Sequence, residues 1–396
     1  MDVVVAGHIC LDIIPEFPRT GQITAMLKPG KLTKVGRPVL ATGGTVSNTG
    51  LSLHRLGEAT RLMGKVGDDL FGRAILDILA ARDGALADGM IVAVGESTSY
   101  TVILSPPGVD RMFLHCPGAN DTYRASDIDY DGLDGARLFH FGYPPLMHHM
   151  YADGGEELAS LLSAVKRRGL TVSLDMAQPD PTSPAGKADW RSLLKRVLPS
   201  VDVFLPSIEE ITFMIDRERF GRIEAAASGN FLSQVDGAML SELSQTLLDF
   251  GAAVVVLKLG DQGLYVRTTK DPDRLATAGA CLAAADPDWL GRELLAPCFE
   301  AKVVGTTGAG DATIAGFLAG LLHGESALEA LTAGVAVGAC SVEAADATSG
   351  VPAWTTVQDR LQRGWPRLPV RMALSGWTRG DNSAVYVGPS DSFGDS

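Results

Sequence analysis

At 396 residues, 46% apolar and 20% charged, the chain is long and apolar enough to bury a substantial core, which excludes a disordered protein and fits one large α/β domain with embellishments as well as two domains. A formal net charge of -13 argues against a nucleic-acid or anionic-membrane surface and leaves a small molecule as the expected partner. Five scattered cysteines without a CxxC pair fit free thiols rather than a disulfide framework or a zinc site, and no apolar run reaches membrane-spanning length, so the cytoplasm is the expected location.

VVVAG at residues 3–7 reads as a buried strand, and HICLDIIPEF continues it into a loop carrying Asp12 just past the strand. Open α/β sheets collect ligands at the carboxyl ends of their strands, so Asp12 is placed to accept hydrogen bonds from a polyol. Residues 20–40 bear Gly, Pro and Lys and read as a short hairpin leading into ATGGTVSNTGLSLHRLG. There Gly43 and Gly44 permit close backbone approach, a helix starts at Thr45, and Asn48, one turn in, offers both a donor and an acceptor. In GKVGDDLFGRAILDIL, Asp68 or Asp69 caps the next helix. Residues 97–116 read as two strands around a turn at Pro106 to Asp110; with segment 20–40 they make a small sheet over the site.

ARLFHFGYPP, LTVSLDMAQ, VDVFLPSIEE and AAVVVLKLGDQGLYV are apolar strands separated by helical stretches, as a parallel sheet requires. Asp175, Glu209 and Glu210 fall at or just past strand ends, where carboxylates either organise Mg²⁺ through its water shell or cap the following helices. In VVGTTGAGDATIAGFLAGLL, at 303–322, a turn with Gly308, Ala309 and Gly310 opens a helix whose unpartnered amides suit an anion. Asp311 beside them is a carboxylate where a phosphate would sit, which points to proton abstraction from a phosphoryl acceptor. Standing alone, GAGD reads more readily as a capped helix start; the other stretches shift that reading. Residues 326–345 suit close packing on the sheet. After Pro369 the chain turns polar and reads as a flexible tail or a late edge strand.

Together, ATGGTVSNTGLSLHRLG and GTTGAGDATIAGF resemble the N- and C-terminal signatures of the ribokinase-like, or PfkB, carbohydrate kinase family, over about residues 3–352. The resemblance implies a ribokinase-like three-layer α/β sandwich with a mostly parallel central sheet and a small β lid. The kinase domain would span 1–365, with lid segments at about 16–42 and 97–120, followed by a partly flexible extension at 366–396. It implies ATP-dependent phosphorylation of a hydroxyl on a small sugar or nucleoside, with Asp311 as base and Gly308, Ala309 and Gly310 as anion hole. Asp12, Gly43, Gly44 and Asn48 become acceptor contacts; Asp175, Ser207, Lys258, Gly260 and Gly263 lie by the nucleotide; Glu210 orders Mg²⁺-bound water. The interruption at 269–297 then reads as an insertion near the nucleotide end. A homodimer through the lid is compatible with this family.

Two residues depart from the family pattern. Ser207 stands for the Asn of an Asn-x-x-Glu motif, and Gly305 for an acidic residue that helps hold a monovalent cation, which argues against potassium activation. A nicotinamide dehydrogenase would carry its glycine fingerprint where GHICLD stands, and no GxxxxGK[ST] is present. The remaining alternative is a non-catalytic sugar- or nucleoside-binding protein on the same fold. Lys28, Lys31, Lys34, Arg37 and Arg111 in the lid read as a solvated face, which favours a neutral acceptor over a sugar phosphate. Tyr100 and Phe113 suit either base stacking or lid packing.

Overall fold

The computed structural model describes residues 1–18, 28–106, 112–227, 229–283, 287–380 and 384–392. The strands are β1 (Val3–Gly7), β2 (Cys10–Ile14), β3 (Val39–Gly43), β4 (Thr60–Met63), β5 (Lys65–Gly67), β6 (Ile91–Ala93), β7 (Tyr100–Leu104), β8 (Met112–Cys116), β9 (Leu138–Gly142), β10 (Thr171–Asp175), β11 (Val203–Phe204), β12 (Val254–Lys258), β13 (Leu264–Thr268), β14 (Glu293–Ala296), β15 (Thr378–Arg379) and β16 (Tyr386–Val387). The central sheet has parallel strands in the order β4-β1-β9-β10-β11-β12, extended by antiparallel β13, β14, β16 and β15.

Alternation along the strands divides the core between two faces. Val3, Val5, Val254 and Val256 pack with the helices Thr45–Leu56, Ala309–Leu322 and Ala327–Ser341. Val4, Ala6, Val255 and Leu257 pack with Glu156–Lys166, Trp190–Val197, Ile208–Ile215 and Gly237–Asp249. Burial on both faces explains why these strands are continuous apolar runs. The result is the three-layer sandwich expected from the sequence.

The lid is a second sheet, in the order β3-β2-β7-β8. Here the structure corrects the reading of residues 10–14: Asp12 lies within β2, paired antiparallel to β3 and parallel to β7, and not in a loop. The chain leaves the core sheet after Gly7 and enters the lid immediately. Residues 28–38 form no strand; only β3 supplies the lid from that side, and residues 19–27 lie outside the described residues. The hairpin at 97–116 is present as β7 and β8, with most of its turn and Arg111 outside the described residues. Asp69 caps the helix Leu70–Ala80 through Gly72 N (2.9 Å) and also accepts from Thr98 N (2.9 Å), tying the helix to the base of the lid.

The segment after β13 is also relocated. Because β13 runs antiparallel, its end at Thr268 lies at the amino ends of the parallel strands, and residues 269–283 pack there, away from the nucleotide end. Thr269 N donates to Ala253 O, and Cys281 N donates to Thr171 Oγ1. Arg274 joins Lys166 on the fully buried carboxylate of Asp202, at 2.9 and 2.5 Å. The polar C-terminal stretch is built into the sheet edge: Asp391 Oδ2 accepts from Arg292 Nε and Glu293 N, and Trp377 packs beside Tyr265.

Asp202 neutralises two cations at once, so Asp202→Ala leaves both without their counter-ion. A loss of about 3 kcal/mol is expected, tempered by the partial exposure of the cations and measured by urea denaturation.

Candidate functional site

The helix Ala309–Leu322 begins at Gly308, whose φ of 70° and closeness to Ala347 (a Cβ would lie 2.5 Å from Ala347 Cβ) admit only glycine. Gly310 differs: a Cβ there would meet only Lys258 Cδ at 3.7 Å, an ordinary contact. Asp311, third in the helix, is 4% exposed. Its Oδ2 accepts from Asn48 Nδ2 (3.0 Å), its Oδ1 from Thr49 Oγ1 (3.2 Å), and both oxygens from Tyr143 Oη (2.8 and 2.9 Å). Asn48 and Thr49 project from the helix Thr45–Leu56, which starts at Gly44 with φ 84°. A side chain on Gly44 would strike His8, so the two glycine turns and the start of β2 pack as one unit.

Lys258 ends β12 and Asp175 ends β10; Lys258 Nζ donates to Asp175 Oδ1 at 2.5 Å. Asp175 Oδ2 is buried without a partner. Burial pushes the Asp175 carboxyl up to about 8 against the pull of Lys258, and burial likewise raises Glu210. Burial opposes the Lys258 ammonium, but Asp175, Glu210 and Asp311 together hold its pKa above the ordinary value. Ser207 bridges to Lys258 across the strand ends and caps the helix Ile208–Ile215. Its Oγ accepts from Glu210 N (3.1 Å) while Glu210 Oε2 accepts from Ser207 N (2.7 Å), so SIEE is a capping box in which serine fixes the glutamate.

Beyond Lys258 a cavity of about 410 Å³ opens, walled by Leu264, Phe299, Val303, Val335 and Val342, with Gly260, Gly263, Ala309 and Gly310 on its lining. Gly263 has φ 114°, and a Cβ there would lie 2.0 Å from Ala296 O, so the turn between β12 and β13 requires glycine. Among the described residues, no group of three or more His, Cys, Asp or Glu is arranged to hold a metal ion.

Asp12, His8 and Asn48 stand where the lid strand β2 and the helix Thr45–Leu56 leave the core sheet. Asp12 fits against Gly43, where a Cβ would come within 2.4 Å of its carboxylate, and Cys10 Sγ donates to Asp12 Oδ1 at 3.3 Å. Burial pushes the Asp12 carboxyl up to about 6. His8 is buried, with both ring nitrogens unpartnered and its pKa lowered by burial to about 3, so it is neutral at pH 7. Its ring lies 5.3 Å from that of His115 on β8 and 6.0 Å from that of Tyr143. Asn48 Oδ1 is also buried and unpartnered. Lys28, Lys31, Lys34 and Arg37 are exposed. Tyr100 packs edge-on against Phe71 at 5.3 Å, the lid-packing alternative, and Phe113 is 58% exposed.

Asp175, Ser207, Glu210 and Lys258 stand together at the carboxyl end of the parallel strands, with Asn48 on the Asp311 carboxylate; Gly260, Gly263, Ala309 and Gly310 line the cavity beside them, Asp12 lies on the lid with Gly43, and Lys28, Lys31, Lys34 and Arg37 face solvent. Sequence reasoning missed Tyr143, Thr49, His8 and His115. The first could have been found as a polar aromatic at the end of a strand, in FGYPP, where such sheets place ligands.

A three-layer α/β sandwich with a β lid, two glycine-led helices meeting at a buried carboxylate and a cavity beside a strand-end lysine define the ribokinase-like kinase class. The chain belongs to the PfkB family of carbohydrate kinases, whose family model matches residues 1–354. It is 28% identical over 302 residues to an uncharacterized sugar kinase of Archaeoglobus fulgidus, covering 76% of this chain and 98% of that one. The fold is similar to that of Arabidopsis thaliana ribokinase complexed with ribose and ATP (TM-score 0.66, 20% identity, 91% of this chain and 98% of that one). It is also similar to a putative ribokinase II from E. coli in complex with ATP and Mg²⁺ (TM-score 0.65, 21% identity, 91% and 99%). Among the described residues no helix is long and apolar enough to cross a membrane.

Because the folded pKa of Asp12 lies above its ordinary value of 3.8, its ionisation opposes folding: the stability it allows below pH 4 is lost as pH rises through about 6. Asp12→Asn is expected to gain on the order of 2 kcal/mol relative to the parent between pH 4 and pH 7, read from denaturation curves at both.

Proposed function

We propose that the chain transfers the γ-phosphoryl group of ATP to a hydroxyl of a neutral, polyhydroxylated small molecule, a sugar or a nucleoside. The observation that carries this reading is the position of Asp311: a buried carboxylate in the first turn of a glycine-led helix whose Ala309 and Gly310 line the Lys258 cavity, with Asn48 and Tyr143 on its own oxygens. Asp311 takes the proton of the acceptor hydroxyl as its oxygen bonds to the γ-phosphorus and the bond to the bridging oxygen breaks, releasing ADP. The Gly308, Ala309 and Gly310 amides, at the positive end of the helix, stabilise charge on the transferring group. Lys258 adds a fixed positive charge, and the apolar cavity accommodates the base, with Gly260 and Gly263 leaving its entrance free of side chains.

Asp175, with an unpartnered buried oxygen, and Glu210, held by Ser207, fit a hydrated Mg²⁺ carried on the phosphates. The metal supplies neutralisation of phosphate charge. Gly305 faces the Ala344 and Ala345 carbonyls without a carboxylate, which supports turnover independent of potassium. Asp12, His8 and Asn48 provide donors and acceptors for hydroxyls, and Lys28, Lys31, Lys34 and Arg37 are exposed, which supports an uncharged acceptor; the ribose in the Arabidopsis relative favours a sugar. The exposed Val39, Leu40, Phe113 and Leu114 of the lid support a lid-to-lid homodimer, to be checked by sedimentation velocity, where a monomer at micromolar concentration would reject it.

The test is ATP consumption against a panel of sugars, sugar phosphates and nucleosides, in sodium and in potassium buffer. Asp311→Asn is expected to lose on the order of 10²-fold or more in kcat with acceptor binding retained, and near-normal turnover would reject Asp311 as base. Gly310→Ala, which the native packing tolerates, is expected to keep or raise the melting temperature while lowering kcat; equal loss of both would assign the glycine to folding. Sugar binding without ATP consumption by the parent chain would mean that the fold serves binding alone.

A further inference from the structure

Three donors bear on Asp311: Asn48 Nδ2 on Oδ2, Thr49 Oγ1 on Oδ1, and the single O–H of Tyr143, which lies 2.8 and 2.9 Å from the two oxygens and straddles them. The phenol stands where an acceptor hydroxyl would approach the base. For a hydroxyl to take that place Tyr143 must turn away, and the three donors are unequally held. Asn48 and Thr49 are buried on a helix packed along that of Asp311. Tyr143 is only half-buried, on the loop after β9, and its backbone takes φ 65°, ψ 41°, a conformation that non-glycine residues seldom occupy. Its N–H is tied to Asp175 O (3.3 Å), and Pro144 and Pro145 follow, so the backbone is anchored and the hydroxyl can leave only by rotation of the phenol. Its ring lies 6.0 Å from that of His8.

We propose that the Tyr143 hydroxyl is a displaceable stopper on Asp311: it occupies the acceptor's place on the base and yields only to a hydroxyl held by Asp12, His8 and Asn48. The benefit is chemical. An open carboxylate beside the γ-phosphate would accept a proton from water, whose oxygen would bond to phosphorus as the bond to ADP breaks, wasting ATP as orthophosphate. Tyr143 is thus a positioning residue that selects the acceptor over water. The inference rests on Asp311 acting as base.

The experiment measures orthophosphate released from MgATP without acceptor, and phosphorylation of the panel, for the parent, Tyr143→Phe and Tyr143→Phe with Asp311→Asn. Phenylalanine keeps the ring and removes only the stopper. Release by Tyr143→Phe is expected to rise on the order of tenfold or more, while the double variant falls to or below the parent level. Unchanged or lower release by Tyr143→Phe overturns the proposal, as does a gain that survives Asp311→Asn. A parent that phosphorylates panel members alongside a Tyr143→Phe variant with no gain rejects the stopper alone; a parent that phosphorylates none rejects the proposed function itself.

Discussion

The hydrogen bonds on the Asp311 carboxylate hold the functional end of the molecule together. They join residues 263 positions apart in the chain, and the geometry requires that the helices Thr45–Leu56 and Ala309–Leu322 lie side by side on one face of the sheet. On its other side the GAGD helix packs closely on Ala327–Ser341, where Gly316 and Gly320 lie against Val337 and Ala330. A buried carboxylate without those donors would carry a heavy desolvation penalty, so the same bonds that aim Asp311 also allow it to be buried.

Charge at the strand ends is arranged around Lys258. One ammonium faces Asp175, Glu210 and Asp311, and burial makes the Asp175 and Glu210 carboxylates costly to ionise. Ser207 shows how a departure from a family pattern is absorbed: its hydroxyl and amide fasten Glu210 in a capping box.

The lid depends on a single topological decision. By leaving the core sheet after Gly7, the chain puts Asp12 on a strand between β3 and β7, with Gly43 opposite Cys10 in register and its missing side chain giving room to the carboxylate. Core and lid therefore share the segment 7–14.

Much of this was determined by the sequence itself. Apolar runs separated by helical stretches specified a two-faced parallel sheet, because a strand buried on both sides must be apolar throughout; the two glycine turns marked the ligand end, because glycine there answers a local backbone demand at Gly44 and Gly308. The Ser207–Glu210 box joins near neighbours in sequence, but Ser207 stood out there only as a departure from a family pattern, and its capping role came from the structure. What only the tertiary structure decided are pairings between distant residues. Whether Asp12 sat in a loop or a strand depended on β3 and β7 coming alongside. The place of residues 269–283 followed from β13 turning antiparallel, which carries the chain back to the amino ends of the other strands. The polar run after Pro369 reads as a flexible tail or a late edge strand; the structure makes part of it the sheet's edge strands β15 and β16, with Asp391 satisfied by Arg292 and Glu293, nearly a hundred residues earlier. Tyr143, 168 residues from Asp311, gave no local sign of its partner. Local periodicity and backbone conformation are written in short windows of sequence, whereas a hydrogen bond across the fold exists only once packing has fixed where both of its ends lie.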